Sequence, residues 1–219
     1  CQCEKQVQIK FDERSIRDHL KKHCMDSRMS RVRSILFGFN EQVNRIKHKS
    51  LEFAEEEITM GLTTFNTNVN HHYFQQNPKE IVLLNYENYR PNGSTALLDA
   101  VGETITEIER QIAASLIPTT AIIVILTDGY ENASKKYNLV NIRNMISKLE
   151  ETGKWTFSFI GATLDAVDVA ASMAIKSQNS FSFEKTQMKS AVWDKLNKSV
   201  SSYFNKKSEN RNLNNFFED

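Results

Sequence analysis

The chain has 219 residues, of which 40% are hydrophobic and 25% charged, and its formal net charge at pH 7 is +1. This composition indicates one folded domain with a packed core and excludes a chain that is disordered throughout. A net charge so close to zero argues against a protein that binds nucleic acid over its whole surface. No apolar run approaches the roughly 18 residues of a membrane span, and no signal peptide is recognisable. The sequence therefore predicts a cytoplasmic protein that does not enter a membrane.

The first 25 residues are a candidate zinc-binding segment. Three cysteines are too few for a closed disulfide framework and are typical of reduced thiols in a cytoplasm. Zinc takes four nitrogen or sulfur ligands in a tetrahedron, and an H-x3-H pair on one helical face supplies two of them. The candidate ligands are Cys1, Cys3, His19, His23 and Cys24. The segment resembles a small zinc finger, although its C-x-C spacing is tighter than usual. The alternative is free thiols and surface histidines on an ordinary helix.

Hydrophobic periodicity predicts the elements of the first half. Residues 31–48 carry one apolar stripe of helical spacing, and residues 58–66 alternate as a strand does. A short strand or turn is expected at 81–84. A long amphipathic helix is expected over 95–116, with Ser94 or Thr95 as its N-cap.

The second half predicts a parallel sheet. Residues 121–126 are apolar without alternation, which is typical of a strand buried on both faces, and Asp128 follows at its carboxyl end. Further strands are expected at 155–162 and 180–183, with helices at 138–152, 164–175 and 186–205. Alternating strands and helices indicate an α/β fold in which ligands bind beyond the carboxyl ends of the strands. Neither G-x-G-x-x-G nor a phosphate-binding P-loop occurs in the sequence. Residues 206–219 are expected to be a flexible tail.

Three stretches together resemble the von Willebrand factor type A (vWA) domain in its intracellular bacterial or phage-like form. They are "RPNGSTALLDAVGETI", "AIIVILTDGYENAS" and "WTFSFIGATLDAVDVAASMAI". The similarity covers residues 26–205. It implies a Rossmann-like three-layer sandwich with a mostly parallel central sheet and a metal-ion-dependent adhesion site. In that site, Thr95 matches the family's threonine and Asp128 its aspartate.

The third element of that site, D-x-S-x-S, is damaged in this sequence. Asp26 and Ser30 match its outer positions, but Arg28 stands where the middle serine belongs. Magnesium prefers about six oxygen ligands, so a guanidinium in place of a hydroxyl removes a ligand and adds a repelling charge. Arg28 could instead occupy the cation's place and pair with Asp128 or with an acidic group of a partner.

The position of the family's first strand stays open at this stage. Residues 17–24 precede Asp26 but do not read as a buried strand. Residues 6–11 alternate as a strand does, and Asp12 would then stand at the strand's end, with a second poor match to the motif.

These features predict a non-enzymatic protein-interaction module with a degenerate magnesium site. The alternative is a nucleic-acid-associated protein that uses the N-terminal finger and basic residues to contact phosphates. Those basic residues are Lys21, Lys22, Arg28, Arg31 and Arg33. An enzyme is not expected, because no Ser-His-Asp or Cys-His set can be recognised.

Overall fold

The computed structural model describes residues 13–89, 93–115, 117–162, 164–183, 191–209 and 215–217. Within these ranges, residues 13–31, 191 and 208 are described by their backbone only. The first half contains α1 (Glu13–Glu52), β1 (Met60–Phe65), β2 (Val69–Gln76) and α2 (Leu97–Ala114). The second half contains β3 (Ala121–Thr127), α3 (Leu139–Glu151), β4 (Trp155–Gly161), α4 (Ala166–Ser172), β5 (Ser180–Ser182) and α5 (Ala191–Ser208). Short 3-10 turns lie at Pro78–Glu80 and Ser177–Asn179.

The strands form two sheets. β1 and β2 pair antiparallel as a hairpin, whereas β3, β4 and β5 form a parallel sheet in that order. β4 is the central strand, in register with β3 from Ala121↔Trp155 to Thr127↔Gly161. Every residue of β4 is buried, as its apolar sequence predicts. The predicted α/β fold with a parallel sheet is confirmed at this level.

Helices cover both faces of the parallel sheet, because successive side chains of a strand point to opposite faces. One face packs against α2, α3 and α4, and its buried strand residues are Ile123, Ile125, Trp155, Phe157 and Phe159. The other face packs against α5 and includes Ile160, with Ile122, Val124 and Leu126 partly buried beside it. Ile35 of α1 joins this second core.

Helix α1 is longer than the sequence predicted. The expected stripe over 31–48 is present, with Val32, Leu36 and Val43 buried. The helix nevertheless begins at Glu13, so residues 17–24 are helical and are not the family's first strand. The alternative strand at 6–11 lies outside the described residues.

Strand β2 was not predicted, and neighbouring residues 81–84 form no strand. β2 has the polar sequence VNHHYFQQ, which carries no apolar alternation. It pairs with β1, and His71 and His72 hydrogen-bond to Thr63 and Thr64 across the hairpin at 3.0 and 2.8 Å. Both histidines are exposed and lie on a paired strand.

Residues 81–84 are held by a side chain of α1. The Asn40 carboxamide donates to the carbonyl of Leu84 and accepts from its N–H, both at 2.9 Å. One side chain thus satisfies the two backbone groups that a neighbouring strand would otherwise pair.

Described residues of the expected flexible tail over 206–219 belong to a helix or to a core. Lys206 and Lys207 belong to α5, and Phe216 is only 2% exposed in the core beneath that helix. None of the helices in the described part of the chain is both long and apolar enough to cross a membrane.

Gly38→Ala tests the contact between α1 and α5. A Cβ built on Gly38 would lie 1.9 Å from the Trp193 ring. Replacing glycine by alanine normally stabilises a helix by about 1 kcal/mol, whereas overpacking a core costs about 1–3 kcal/mol. We expect a lower urea midpoint for Gly38→Ala. The control is the exposed Asn44→Ala on the same helix, which should leave the midpoint unchanged or raise it. A stabilised Gly38→Ala variant would contradict this packing.

Candidate functional site

The candidate site lies at the carboxyl edge of the parallel sheet. Asp128 follows β3 directly and is exposed, and Thr95 precedes α2. The two predicted residues belong to loops that touch, since a Cβ on Gly129 would lie 2.6 Å from the Thr95 hydroxyl oxygen. The absence of a side chain at position 129 is what allows this close approach.

Asn132 fixes the backbone of Thr95. Its side-chain oxygen accepts from the Thr95 N–H at 2.8 Å, and its own N–H donates to the Thr95 carbonyl at 3.0 Å. The next residue, Ala96, donates its N–H to the Asn66 carbonyl of the β1–β2 turn at 2.7 Å. The Thr95 backbone is therefore held between the hairpin and the β3–α3 loop (residues 128–138).

Helix α2 is capped by a carboxylate from this loop. The predicted caps, Ser94 and Thr95, are wrong, because the N-cap position is Ala96 and has no side-chain hydrogen bond. Glu131 accepts instead from the Leu98 N–H at 2.9 Å, from the Ser134 hydroxyl at 2.7 Å and from the N–H groups of Ala133 and Ser134. The negative charge of Glu131 at the helix N-terminus also interacts favourably with the helix dipole. Burial alone would raise the pKa of Glu131, but these hydrogen bonds outweigh it and lower the pKa.

Asp99 makes the reciprocal contact from the helix to the loop. This side chain is 6% exposed, and its carboxylate accepts the backbone N–H groups of Lys135, Lys136 and Tyr137, each at 2.8 Å. Burial opposes ionisation, yet the hydrogen bonds and the nearby Lys136 charge hold the pKa of Asp99 below its ordinary value. Asp99 therefore binds the loop from a buried position on the helix.

Asp128 acts on a neighbouring phenol. Burial and the negative charge of Asp128 raise the pKa of Tyr89 to about 12. Tyr89 packs against the buried side chains of Val32, Leu36 and Leu84, so this contact connects the carboxyl edge to α1. The phenol stays protonated at neutral pH and remains a hydrogen-bond donor.

Two apolar side chains are exposed close to Asp128 and at the end of the next strand. Tyr130 is 59% exposed in the β3–α3 loop, and Leu164 is 96% exposed after β4. Because β3 and β4 are parallel, both residues follow strand ends at the same edge. Tyrosine is one of the residue types enriched among interface residues that contribute most to binding.

The remaining predicted residues lie on helix α1 or outside the described residues. Asp26, Arg28 and Ser30 belong to helix α1, whose backbone is continuous over Glu13–Glu52, instead of a loop after a strand. The structure describes only the backbone at these three positions. Of the candidate zinc ligands, Cys1 and Cys3 lie outside the described residues. His19, His23 and Cys24 lie on α1, of which only the backbone is described at these positions.

The described side chains do not fit a complete magnesium site. Thr95 and Asp128 offer one hydroxyl and one carboxylate, whereas magnesium prefers about six oxygen ligands. Glu131 and Asp99 are already engaged by backbone N–H groups. Over the part of the chain with described side chains, no group of three or more His, Cys, Asp or Glu residues is placed to hold a metal ion.

Comparison with known proteins adds no relative: no protein-family model matches the chain, and no curated protein has significant sequence similarity to it.

Sequence reasoning missed Glu131, Asn132 and Asp99 as the residues that build this edge. The contacts that these residues make between the loop and α2 or Thr95 span 33 to 38 positions along the chain, so no local pattern indicates them. The one available indication is the polar run "DGYENAS" directly after a buried strand, which has more hydrogen-bonding side chains than a simple turn requires.

Glu131→Gln tests the cap. A glutamine amide presents donors where the carboxylate accepts from N–H groups, so we expect the free energy of unfolding to fall by about 1–3 kcal/mol. Because the pKa of Glu131 is lowered by folding, its contribution is complete above the ordinary value of 4.5 and is lost as pH falls through the folded-state pKa. Urea denaturation at pH 7 and at decreasing pH below 4.5 should show the two proteins converging. The matched control is Glu109→Gln, at an exposed position of helix α2. Equal losses of stability in both variants would argue against the cap.

Gly129→Ala tests the contact between the two loops. The φ of Gly129 lies outside the left-handed region, so alanine is opposed only by the Thr95 hydroxyl. We expect a loss of about 1–3 kcal/mol. Thr95→Ala removes that oxygen and leaves the Thr95 Cβ at 3.7 Å, an ordinary contact. The double variant should therefore recover part of the loss in a double-mutant cycle. Strict additivity would mean that the two loops do not touch.

Proposed function

We propose that this chain is a non-enzymatic protein-interaction module with a vWA-like fold, and that it binds a partner protein at the carboxyl edge of its parallel sheet. The observation that carries the proposal is the convergence of Thr95, exposed Asp128 and exposed Tyr130 on one rigid pair of loops. Functional residues are commonly held on loops that a rigid scaffold positions. Helices on both faces of the parallel sheet support the finer assignment to a Rossmann-like three-layer sandwich.

The chemistry of this edge favours binding over catalysis. A general base needs an available carboxylate or imidazole with a pKa near the working pH. Glu131 and Asp99 accept several N–H groups each, and folding lowers their pKa values. Both carboxylates therefore serve to hold the loops, whereas Asp128 is exposed.

The partner's contact surface follows from the same residues. Tyr130 and Leu164 supply apolar contact area, and tyrosine is among the residue types that most often carry the binding free energy of an interface. Asp128 and the Thr95 hydroxyl supply polar contacts beside them. Thr95 and Asp128 are the retained part of a degenerate metal-ion-dependent adhesion site, so the contact does not require magnesium.

Photo-crosslinking from position 130 tests the interface. Benzoylphenylalanine at Tyr130 should cross-link to a distinct protein in an extract of the source cells, which mass spectrometry then identifies. The matched control is the same residue at Ile117, which is 57% exposed but precedes β3 at the opposite edge of the sheet. Asp128→Asn should weaken the cross-link several-fold, and Arg28→Ala tests whether Arg28 contacts an acidic group of the partner.

The magnesium dependence of the cross-link distinguishes a degenerate adhesion site from a working one. We expect the cross-link at position 130 to be equal in magnesium and in EDTA, and calorimetry to detect no saturable 1:1 magnesium binding. Magnesium-dependent cross-linking would mean that the adhesion site works. Equal cross-linking from positions 117 and 130 would overturn the proposed interface itself.

A further inference from the structure

The last described residues of the chain occupy a seat at the amino end of β5. This seat, called the Phe-Phe seat, is formed by Gln178, Asn179, Phe181, Lys195 and Tyr203. Phe216 is 2% exposed within it, with its ring centroid 6.4 Å from that of Tyr203. Phe217 packs edge-on against Phe181 at 4.8 Å. The seat lies at the sheet edge opposite the candidate functional site, because Ser177–Asn179 precede β5.

The seat hydrogen-bonds to the peptide backbone and also packs against the two rings. The Asn179 side-chain oxygen accepts the Phe216 N–H at 2.8 Å, and the Gln178 carbonyl accepts the Phe217 N–H at 3.3 Å. The Gln178 amide donates to the Asn215 side chain at 3.3 Å. Asn179 is itself fully buried, so its carboxamide is a fixed part of the core and not a chance surface contact. Hydrogen bonds to main-chain N–H groups are how proteins commonly hold an extended peptide segment.

Two lysines contact the seat or the segment bound in it. The Lys195 ammonium lies 4.5 Å from the Phe181 ring centroid and 5.2 Å from that of Phe217, which is cation–π geometry. Lys206 donates to the Asn215 carbonyl at 3.1 Å. In the sequence, Phe217 is followed by Glu218 and Asp219. The two lysines and the two acidic residues that follow Phe217 in the sequence carry opposite charges.

We propose that the Phe-Phe seat is a peptide-binding site for an aromatic pair followed by acidic residues. The chain's own segment around Phe216 and Phe217 is its ligand in cis, and a partner segment of the same chemistry can replace it. The seat accepts one buried ring, one half-buried ring and the N–H groups of both residues, and each of these contacts can be made equally by a separate peptide. The proposal does not depend on the function proposed for the carboxyl edge.

The test uses the full chain with its own ligand weakened. Phe216→Ala removes the buried ring, so this variant should bind a fluorescent NNFFED peptide, residues 214–219 of the sequence, at least tenfold more tightly than the unaltered chain does. Fluorescence anisotropy measures the binding. The peptides NNAFED and NNFFKK should bind at least tenfold more weakly than NNFFED. Adding Lys195→Ala to the variant should weaken NNFFED binding several-fold.

The outcomes decide the proposal in either direction. A folded Phe216→Ala chain that does not bind NNFFED, or that binds NNFFED and NNAFED equally, would overturn it. Equal binding by the variant and the unaltered chain would also overturn it, because the cis segment then does not compete for the site. If circular dichroism shows that Phe216→Ala does not fold, Phe217→Ala takes its place, since Phe217 is only half-buried, and the same criteria apply.

Discussion

Two carboxylates join helix α2 and the β3–α3 loop, one from each side, and the structure of the carboxyl edge of the sheet depends on them. Glu131 leaves the loop to accept N–H groups at the start of the helix, and Asp99 leaves the helix to accept N–H groups of the loop. Each carboxylate satisfies backbone donors that would otherwise be unpaired as the loop packs against the helix. The cost of burying each negative charge is offset because every bond is charge-assisted. The loop is therefore fixed relative to the helix without a regular secondary structure of its own.

This arrangement determines what the edge can do. A carboxylate that accepts several backbone N–H groups stays ionised and has little capacity left for a ligand or a proton. Asp128 differs from Glu131 and Asp99 because it is exposed, and its charge is felt by the Tyr89 phenol behind it. The structure thus divides the acidic residues of one short region into two roles: Glu131 and Asp99 hold the loop, and Asp128 faces outward from it.

An element or contact could be predicted from the sequence when the interacting residues lie close together along the chain. Strands β3 and β4 and helix α3 were predicted because a continuous apolar run or a helical stripe is a local property. Strand β2 was missed because its polar residues are ordered by pairing with β1, and the cap of α2 was misassigned because its partner is 33 residues distant. Burial of Phe216 depends on Asn179, 37 positions earlier, so a polar C-terminal sequence gave no indication of it. Thr95 and Asp128 were found through a resemblance that places both in one site, and the structure brings their loops together at Gly129.

Helix α2 contacts both sheets, so the Glu131 cap affects the packing of each of them. Its buried face contributes Leu97, Val101 and Ile105 to the core that contains Ile123 and Ile125 of β3. Its other contacts reach the hairpin, where Thr104 donates to Thr63 at 3.1 Å and Glu103 pairs with His71. Since Glu131 fixes the first turn of the same helix, a change at the carboxyl edge acts on an element that both sheets share. A partner that binds at Tyr130 and Asp128 therefore contacts a loop whose position is coupled, through one rigid helix, to the packing of the hairpin.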